Sequence, residues 1–408
     1  MRPAPAPHEQ EAFPVRNTRG MTDGRFDFES LDEEWLRSKP GQKWHHAAPR
    51  LAAWVADMDF RPAPAVLDHL RSILDHGDIG YPDRHATGRA RAADAFVRRM
   101  RDLYSWDISV ADVREWNDVV QSLQAYLNVI CVPGDSVVVH TPAYPPFFGA
   151  IEQAGCELLP VPAVIDGDTV TYDHDWLDKE LGLRPARVLL LCNPQNPTGH
   201  VFTPGELGRL VEIAERHDMV IISDEIHSDI VFDGRTHTPV ATLPGAAGRT
   251  ITLNSASKSF NIAGLHYALS HCGVPWVEER LASMPDHLFG GEANIMGAEG
   301  AWAAWTMGGG WFAAVHRHLE TMRATAVDLV RRHLPGVRVH VPQATYLLWL
   351  DCRGTAVAAD PHLAFREAGV EVSNGMLFGP GGEGHVRLNF ATSTAVLERI
   401  VTTMARAL

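Results

Sequence analysis

Lys258 is the residue whose setting in this sequence suggests covalent chemistry. It follows the apolar and β-branched stretch Ile251-Thr-Leu253, which predicts the end of a buried strand. A lysine just past a strand, among small hydroxyl residues, suits a Schiff base to an aldehyde cofactor. Ser255 and Ser257 could donate hydrogen bonds to the phosphate of such a cofactor. On these residues alone, an ordinary solvated loop lysine is the simpler interpretation.

Two further apolar runs end in polar residues that would complete such a site. One leads into the turn Asn193-Pro-Gln-Asn-Pro-Thr-Gly199, and the other, Met219-Val-Ile-Ile-Ser223, leads into Asp224. Continuous apolar runs are typical of buried parallel strands, and parallel sheets bind ligands at the carboxyl ends of their strands. We therefore expect Asn196, Asp224 and Lys258 to lie at one crevice.

The segment between these two runs predicts a helix. Thr203-Pro-Gly-Glu206 matches a capping box with proline at the first helical position. The apolar residues that follow at helical spacing are Leu207, Leu210, Val211 and Ala214. Strand, helix and strand in this order is the pattern of an α/β protein with a parallel sheet.

Three motifs, in this order, resemble those of the fold-type I pyridoxal-phosphate enzymes. They are Asn-Pro-x-Asn-Pro-Thr-Gly at 193–199, Ser-Asp-Glu-Ile-His at 223–227 and Ser-x-Ser-Lys-Ser-Phe-Asn at 255–261. Within that superfamily the chain is similar to the class I/II aminotransferases, and more narrowly to their cystathionine β-lyase-like (C–S lyase) branch. Segments similar to that branch are 54–60, 141–147, 224–229, 343–346 and 381–390. The resemblance extends from about Trp35 to the C-terminus.

The resemblance implies a large domain with a mainly parallel seven-stranded sheet and a smaller α/β C-terminal domain. We expect residues 51–290 to form the large, cofactor-binding domain. Residues 27–50 would be the N-terminal part of the small domain, and residues 291–408 its C-terminal part. Residues 1–26 are rich in Pro, Ala and Arg without apolar periodicity, which predicts a mobile tail or an arm that lies on a partner subunit.

The resemblance also implies pyridoxal 5′-phosphate as the cofactor. Asp224 would keep its pyridine nitrogen protonated, because a neighbouring carboxylate favours the charged form. Asn196 would donate to the ring oxygen O3′. His227 could contact the same oxygen, or could be a satisfied core histidine. Tyr144 would stack on the ring, which adds about 1 kcal/mol beyond burial, or would be a core tyrosine.

The cofactor phosphate is expected at the start of a helix near Asn117, where free N–H groups and the helix dipole suit an anion. The resemblance places this cradle at Val120 and Gln121. It also sends Tyr81 across a dimer interface to the other subunit's cofactor, which implies a homodimer with shared sites and makes Tyr81 a candidate catalytic residue. A packed turn aromatic is the alternative. His266 is a departure, since many aminotransferases have a phosphate-binding arginine there.

An amino-acid substrate presents a carboxylate, whose natural partner is a bidentate arginine. Arg387 matches the family's arginine for this role, and we expect Asn196 and Tyr346 to line the substrate site with it. Once the substrate has displaced Lys258 from the cofactor, the lysine amine can act as the base at Cα.

These residues would serve more than one reaction, so the resemblance decides among them. It favours β-elimination from a cysteine S-conjugate to a thiol, pyruvate and ammonia, and a specialised thioether of secondary metabolism is a conceivable substrate. Transamination is the alternative, and decarboxylation or oxidative deamination of a cysteine conjugate is a further one. A non-enzymatic regulator that retains the fold is also open, but the intact set of Asn196, Asp224, Lys258 and Arg387 argues against it.

Composition bears on the remaining classes of protein. With 36 basic and 50 acidic residues the net charge is −14, which argues against a nucleic-acid partner. Five widely spaced cysteines suggest no disulfide framework, which fits a reducing cytoplasm. Because we see neither a long apolar stretch nor an apolar signal core, we expect a cytoplasmic enzyme without a membrane partner. His45-His46 lacks a third ligand at useful spacing, so we expect no metal site.

Overall fold

The computed structural model describes residues 26–81, 90–284 and 293–408. Its strands are β1 Leu51–Ala52, β2 Val113–Trp116, β3 Ser136–Thr141, β4 Glu157–Asp166, β5 Thr169–Tyr172, β6 Val188–Cys192, β7 Val220–Asp224, β8 Thr250–Asn254, β9 Ala268–Cys272, β10 Arg338–Val339, β11 Leu347–Asp351, β12 Val370–Glu371, β13 Ser373–Asn374 and β14 His385–Asn389. Its α-helices are α1 Glu33–Ser38, α2 Gln42–Ala47, α3 Pro64–His76, α4 Arg91–Tyr104, α5 Val119–Ile130, α6 Pro145–Gln153, α7 His174–Leu181, α8 Pro204–Arg216, α9 Pro275–Ala282, α10 Ile295–Met307, α11 Gly309–His333, α12 Pro361–Ala368 and α13 Thr394–Met404. The tail expected at residues 1–26 lies outside the described ranges except for its last residue. In those ranges, no helix has both the length and the apolar character needed to cross a membrane.

Eight strands form the large sheet, in the order β2-β9-β8-β7-β6-β3-β4-β5. β3 pairs in parallel with β4 and β6, and parallel pairing continues through β7 to β8. β9 is antiparallel to both β8 and β2, and β5 folds back on β4 as a hairpin. The expected mainly parallel sheet is confirmed. The hairpin strand β5 adds an eighth strand to the seven expected.

β6 shows why this sheet makes a firm base for a site. All its residues are buried. Val188 and Leu190 pack into the apolar cluster under α5, α6 and α9, while Leu189 and Leu191 face the cluster under α7 and α8. Because helices cover both faces, the strand is apolar throughout, and each fully buried leucine contributes about 1.5–3 kcal/mol.

α8 starts as its sequence predicts. The Thr203 hydroxyl accepts a hydrogen bond from the N–H of Glu206, and the Glu206 carboxylate accepts one from the N–H of Thr203. This reciprocal pair, with Pro204 as the first helical residue, confirms the predicted capping box. The capping box fixes the point at which the turn after β6 ends and α8 begins.

The C-terminal region contains a second, antiparallel sheet in the order β10-β11-β14-β13. Its buried residues share one apolar core with α11 and α13, and that core also contains Trp44 and Phe60 from the N-terminal segment. The N-terminal segment therefore packs against the C-terminal region. The domain limits at residues 50 and 290 stay predictions.

A short parallel pairing anchors this N-terminal segment. β1 pairs with β12, so that Leu51 lies opposite Val370. Just after β1, the N–H of Ala53 donates to the carbonyl of Glu371, and its own carbonyl accepts from the N–H of Asn389. These bonds hold the stretch that follows, Trp54 to Phe60, against the small sheet. We call it the 54–60 loop.

Candidate active site

The carboxyl ends of three neighbouring strands form one row at the edge of the large sheet. Cys192 at the end of β6 lies opposite Asp224 at the end of β7, and Asp224 lies opposite Leu253 of β8. Asn196 follows β6 after a short turn, and Lys258 follows β8 in the same way. The structure thus brings Asn196, Asp224 and Lys258 to one edge, because parallel strands end on the same side of their sheet.

Lys258 is held by a backbone carbonyl. Its Nζ donates a 2.9 Å hydrogen bond to the oxygen of Ala56, and the Tyr346 hydroxyl donates to the same oxygen at 2.8 Å. Burial lowers the pKa of the Lys258 amine, and the negative charge of Asp57 opposes that change. An amine with a lowered pKa is closer to the neutral form that attacks an aldehyde.

Asp224 is a buried carboxyl group with only 3% of its surface exposed. Burial raises its pKa to about 7, although the N–H of Ile226 at 3.1 Å and the charge of Lys258 favour the ionised form. No ion pair to Asp224 occurs in the described part of the chain. A cation placed beside it, such as a protonated ring nitrogen, would stabilise the carboxylate.

Arg387 is a buried cation whose partners are all neutral among the described residues. One terminal nitrogen donates to Oδ1 of Asn196 at 3.0 Å, and the other donates to the Trp54 carbonyl at 2.9 Å and the Ser373 hydroxyl at 3.1 Å. Its Nε has no described partner, and the guanidinium carbon lies 5.0 Å from the centre of the Phe378 ring. Burial lowers the pKa of Arg387 to about 10. A buried arginine without an anion is suited to bind one.

The 54–60 loop uses its carbonyl groups to hold side chains from distant parts of the chain. Lys258 and Asn261 from the large sheet's edge bind the carbonyls of Ala56, Met58 and Phe60. Side chains of the C-terminal region donate to the first three carbonyls of the loop. Arg387 and Ser373 donate to the carbonyl of Trp54, Asn389 donates to that of Val55, and Tyr346 donates to that of Ala56. One short loop therefore connects the expected lysine with the expected substrate arginine.

His227 and Tyr144 both lie near this cluster. Burial, together with the charges of Lys258 and Arg387, lowers the pKa of His227 to about 3, so the ring is neutral. Its Nδ1 has no partner among the described residues. Tyr144 is partly buried at the start of α6, with its ring edge-on to Phe147 at 5.7 Å. Whether these rings contact a cofactor stays a prediction.

The start of α5 differs in detail from the expected phosphate cradle. Asp118 caps this helix by accepting a 2.7 Å hydrogen bond from the N–H of Gln121, and its carbonyl accepts from the N–H of Ser122. These bonds leave the N–H groups of Val119 and Val120 for an anion. The backbone of Gln121 is already engaged, and its side chain accepts from the N–H of Asn117.

Ser255 and Ser257, the two expected phosphate donors, are hydrogen-bonded to each other in the turn that contains Lys258. The hydroxyl of Ser255 donates to the carbonyl of Tyr267 at 2.7 Å and accepts from the N–H of Ser257 at 3.1 Å. Its proton is therefore not directed at a ligand here. His266 lies 3.6 Å from the Asp118 carboxylate and has a positive φ of 51°.

Tyr81 stands apart from these residues. It is 96% exposed, and the chain that follows it, residues 82–89, lies outside the described ranges. It has no hydrogen bond to a described residue of its own chain. An exposed tyrosine suits the expected contact with a second subunit, which stays a prediction.

Several parts of the site had no assigned role in the sequence. The Ala56 carbonyl, the Phe378 ring and the Asp57 carboxylate belong to this group. The sequence of the Trp54–Phe60 segment indicates only a resemblance to the C–S lyase branch, and a backbone acceptor has no side-chain signal. Phe378 is one of several aromatics, and its contact with Arg387 depends on tertiary packing.

These residues fit pyridoxal phosphate. The Asp224 carboxyl, which has no ion-pair partner among the described residues, suits a protonated pyridine nitrogen, and Lys258 is the amine on the same sheet edge. The neutral His227 has a ring nitrogen without a partner in the described ranges, and the N–H groups of Val119 and Val120 suit a phosphate. Arg387 remains for the carboxylate of an amino acid.

A cavity of about 470 Å³ lies elsewhere, between β4 with the turn that follows it and the small sheet. Its lining includes Ile165, Arg338 and Trp349 but none of Lys258, Asp224, Asn196 and Arg387. The candidate site is therefore identified by its chemistry and not by the volume of this cavity.

Comparison with known proteins finds relatives over most of this chain. A sequence model of the family described as aminotransferase class I and II matches residues 62–404. A Mycobacterium tuberculosis protein is 38% identical over 93% of this chain and 98% of its own. Cystathionine beta-lyase PatB of Bacillus subtilis is 33% identical over 85% of this chain and 90% of its own. The solved structure of a PLP-bound C-S lyase from Staphylococcus hominis is 28% identical, has a TM-score of 0.85, and covers 94% of this chain and 98% of that one.

Proposed function

This chain belongs to the class I and II aminotransferase family, in its cystathionine β-lyase-like branch, and we propose that it catalyses C–S β-elimination. The fold-type I fold and the pyridoxal-phosphate cofactor, both expected from the sequence, are confirmed. The proposed substrate is a cysteine S-conjugate, and the products are a thiol, pyruvate and ammonia. The names of the relatives support this choice of reaction over transamination.

The observation that carries an amino-acid substrate is the state of Arg387. This buried guanidinium has only neutral partners among the described residues and keeps one nitrogen free. A carboxylate would give it the charged partner that burial calls for, in a two-pronged geometry that lysine cannot match. Asn196, Trp54 and Ser373 already fix the orientation of the guanidinium, and a carboxylate that binds both terminal nitrogens would replace one of these neutral partners.

Three residues would set up the reacting atoms. Bound here, pyridoxal phosphate supplies an electron-withdrawing ring that stabilises negative charge at the substrate's Cα. Asp224 would keep the ring nitrogen protonated, because a neighbouring carboxylate favours the charged form. Asn196, whose Oδ1 faces Arg387, has its amide N–H groups for the ring oxygen. Lys258 supplies the amine that binds the aldehyde carbon and, when displaced, removes the Cα proton.

Elimination then needs that proton to reach sulfur. The Lys258 amine takes the proton from Cα and becomes an ammonium group. As the C–S bond breaks, its electron pair leaves with sulfur and a double bond forms between Cα and Cβ. The ammonium group returns its proton to the departing thiolate. Hydrolysis of the unsaturated amino acid gives pyruvate and ammonia.

The phosphate would be held at the start of α5 by Val119 and Val120, with Ser257 nearby. We propose that Tyr81 of a partner subunit supplies a further donor, which makes the active unit a homodimer. The exposure of Tyr81 and the engaged hydroxyl of Ser255 support this arrangement.

Incubation with cystathionine in the absence of any keto acid tests the reaction. Elimination leaves the cofactor unchanged, so homocysteine and pyruvate should accumulate far beyond one equivalent per site. Transamination without an acceptor stops after one equivalent, because the cofactor is left in its amino form. A single burst that a keto acid restarts would therefore overturn the proposal in favour of an aminotransferase. Carbon dioxide release with oxygen uptake would overturn it in favour of oxidative decarboxylation.

A further inference from the structure

Two aspartates of the 54–60 loop have opposite surroundings. Asp59 is 1% exposed, and its carboxylate accepts from Lys43 at 3.0 Å and from the Trp44 indole at 2.7 Å. Asp57 is only partly buried, and its carboxylate has no hydrogen-bond or ion-pair partner in the described part of the chain. Asp59 has a structural role that its contacts explain, whereas the contacts of Asp57 explain none.

The backbone of Asp57 is nevertheless fixed. Its N–H donates to the carbonyl of Val55 at 2.9 Å. Its carbonyl accepts from Lys43 at 2.9 Å and from Asn389 at 2.7 Å. Hydrogen bonds to both the N–H and the carbonyl give Asp57 a defined backbone position.

The backbone of Asp57 lies next to the amine of Lys258. The Ala56 carbonyl, one residue before Asp57, accepts the 2.9 Å hydrogen bond from Lys258 Nζ. The charges of Asp57, Arg387 and Asp224 act on this amine, and the effect of Asp57 is the largest of the three. His227 and Tyr346 also lie close, but His227 is neutral and Tyr346 keeps its proton, because burial raises the pKa of its hydroxyl.

We propose that Asp57 is a positioning residue that holds the displaced Lys258 amine as an ammonium group against the Ala56 carbonyl. The inference rests on the proposed function, since it concerns the amine that binds the aldehyde and moves the Cα proton. Lys258 must carry that proton between two transfers, from Cα and then to sulfur. A carboxylate beside it stabilises the ammonium form during this interval without taking the proton itself.

The proposed function gives the amine two positions. One is its covalent bond to the aldehyde carbon, and the other is the contact with Ala56 that the structure shows. Arg387 lies on the same side, and its positive charge disfavours an ammonium group there. Asp57 offsets that repulsion, which explains why a carboxylate without a structural partner occupies this position.

The rate at which cofactor-free, full-length protein takes up pyridoxal phosphate, measured against pH, tests the inference. Only the neutral amine attacks the aldehyde, so the rate rises with pH through a midpoint set by Lys258. In Asp57→Asn the Lys258 ammonium group loses the stabilising negative charge, so the midpoint of the rate against pH should fall by about one pH unit. At a fixed pH below both midpoints, uptake should be about tenfold faster than in the wild type. Asp57→Glu keeps the charge and should restore a midpoint close to that of the wild type.

Two results would overturn the inference, and they differ in meaning. If reduction with borohydride labels Lys258 in every variant but the midpoint is the same for wild type, Asp57→Asn and Asp57→Glu, then Asp57 does not act on the amine and the proposed function stands. If the label in the wild type is not on Lys258, the assignment of the amine itself is wrong. Asp57→Ser serves in place of Asp57→Asn should the latter not fold, as judged by near-UV circular dichroism.

Discussion

A terminal nitrogen of Arg387 donates a 3.0 Å hydrogen bond to Oδ1 of Asn196. Arg387 lies on β14 of the small sheet, and Asn196 lies in the turn after β6 of the large sheet. The proposed ligand of the substrate carboxylate and the proposed ligand of the cofactor ring are therefore in direct contact across two sheets. A substitution of either residue should therefore affect the orientation of the other.

Replacement of Arg387 should weaken substrate use. A hydrogen bond to a charged partner contributes about 1.5–3 kcal/mol, so kcat/KM of Arg387→Ala for cystathionine should fall by at least about tenfold. Arg387→Lys keeps the charge but loses the planar fork, so it should not restore full activity. Arg353→Lys, at an exposed arginine paired with Asp351, is the control and should leave kcat/KM unchanged. Wild-type kinetics in Arg387→Ala would contradict the assignment.

Lys258 should be the residue that binds the cofactor covalently. The lysines of this sequence are Lys39, Lys43, Lys179 and Lys258, so peptide mapping has few candidates to separate. After borohydride reduction, mass spectrometry should find the pyridoxyl group on Lys258 alone. Lys258→Ala should remain unlabelled, whereas Lys179→Ala should be labelled like the wild type. A label on Lys39 or Lys43 would contradict the site.

Asp224 should make the stability of the cofactor-free protein depend on pH. Its pKa in the folded protein is about 7, above its ordinary value of 3.8. A raised folded-state pKa means that the stabilising contribution is complete below about pH 4 and is lost as the pH rises to about 7. Relative to Asp224→Asn, the free energy of unfolding of the wild type should fall over this interval, by at most about 4 kcal/mol.

Urea denaturation of both cofactor-free proteins between pH 4.5 and 8 measures this difference. With pyridoxal phosphate bound, the cationic ring nitrogen favours the carboxylate, so the fall should become smaller. A difference between the two proteins that does not vary with pH would show that Asp224 is already ionised at pH 5.

Tyr81 should act in the site of the partner subunit. In a mixture of Tyr81→Phe and Lys258→Ala chains, each heterodimer contains one site with both wild-type residues. Random pairing gives half heterodimers, so the mixture should recover about a quarter of wild-type activity. Mixing Lys258→Ala with Asp224→Ala is the control, and it tells whether two residues of one chain also complement. No recovery despite heterodimers on native mass spectrometry would contradict a shared site.

The sequence located those site residues that stand at the ends of apolar runs. Asn196, Asp224 and Lys258 follow strands whose burial on both faces leaves an uninterrupted apolar pattern. Arg387 was placed by resemblance alone, because its strand gives no hint of which ligand it meets. Asp57 lacked any such pattern, and its proximity to Lys258 depends on a contact between residues 202 positions apart.

Local detail was less predictable where side chains compete with the backbone ladder. Apolar and polar residues alternate through 337–341, which is typical of a strand, but β10 covers only Arg338 and Val339. The N–H of Val341 donates to the Asp168 side chain, and the ring of His340 contacts the carbonyl of Thr198. Contacts with the Asp168 side chain and the Thr198 carbonyl, both in turns beside the large sheet, thus end this strand early. A pattern of alternating residues does not contain that information.

The pairing of β1 with β12 also determines when the site can form during synthesis. The 54–60 loop leaves the ribosome early, but the strand that anchors it ends at Glu371, and the side chains that fix its carbonyls reach as far as Asn389. Lys258 and Asp224 can occupy their places in the large sheet well before that point. Until almost the whole protein has been translated, the Ala56 carbonyl that binds Lys258 is therefore not yet fixed in position. The cofactor meets a finished site only at the end of translation.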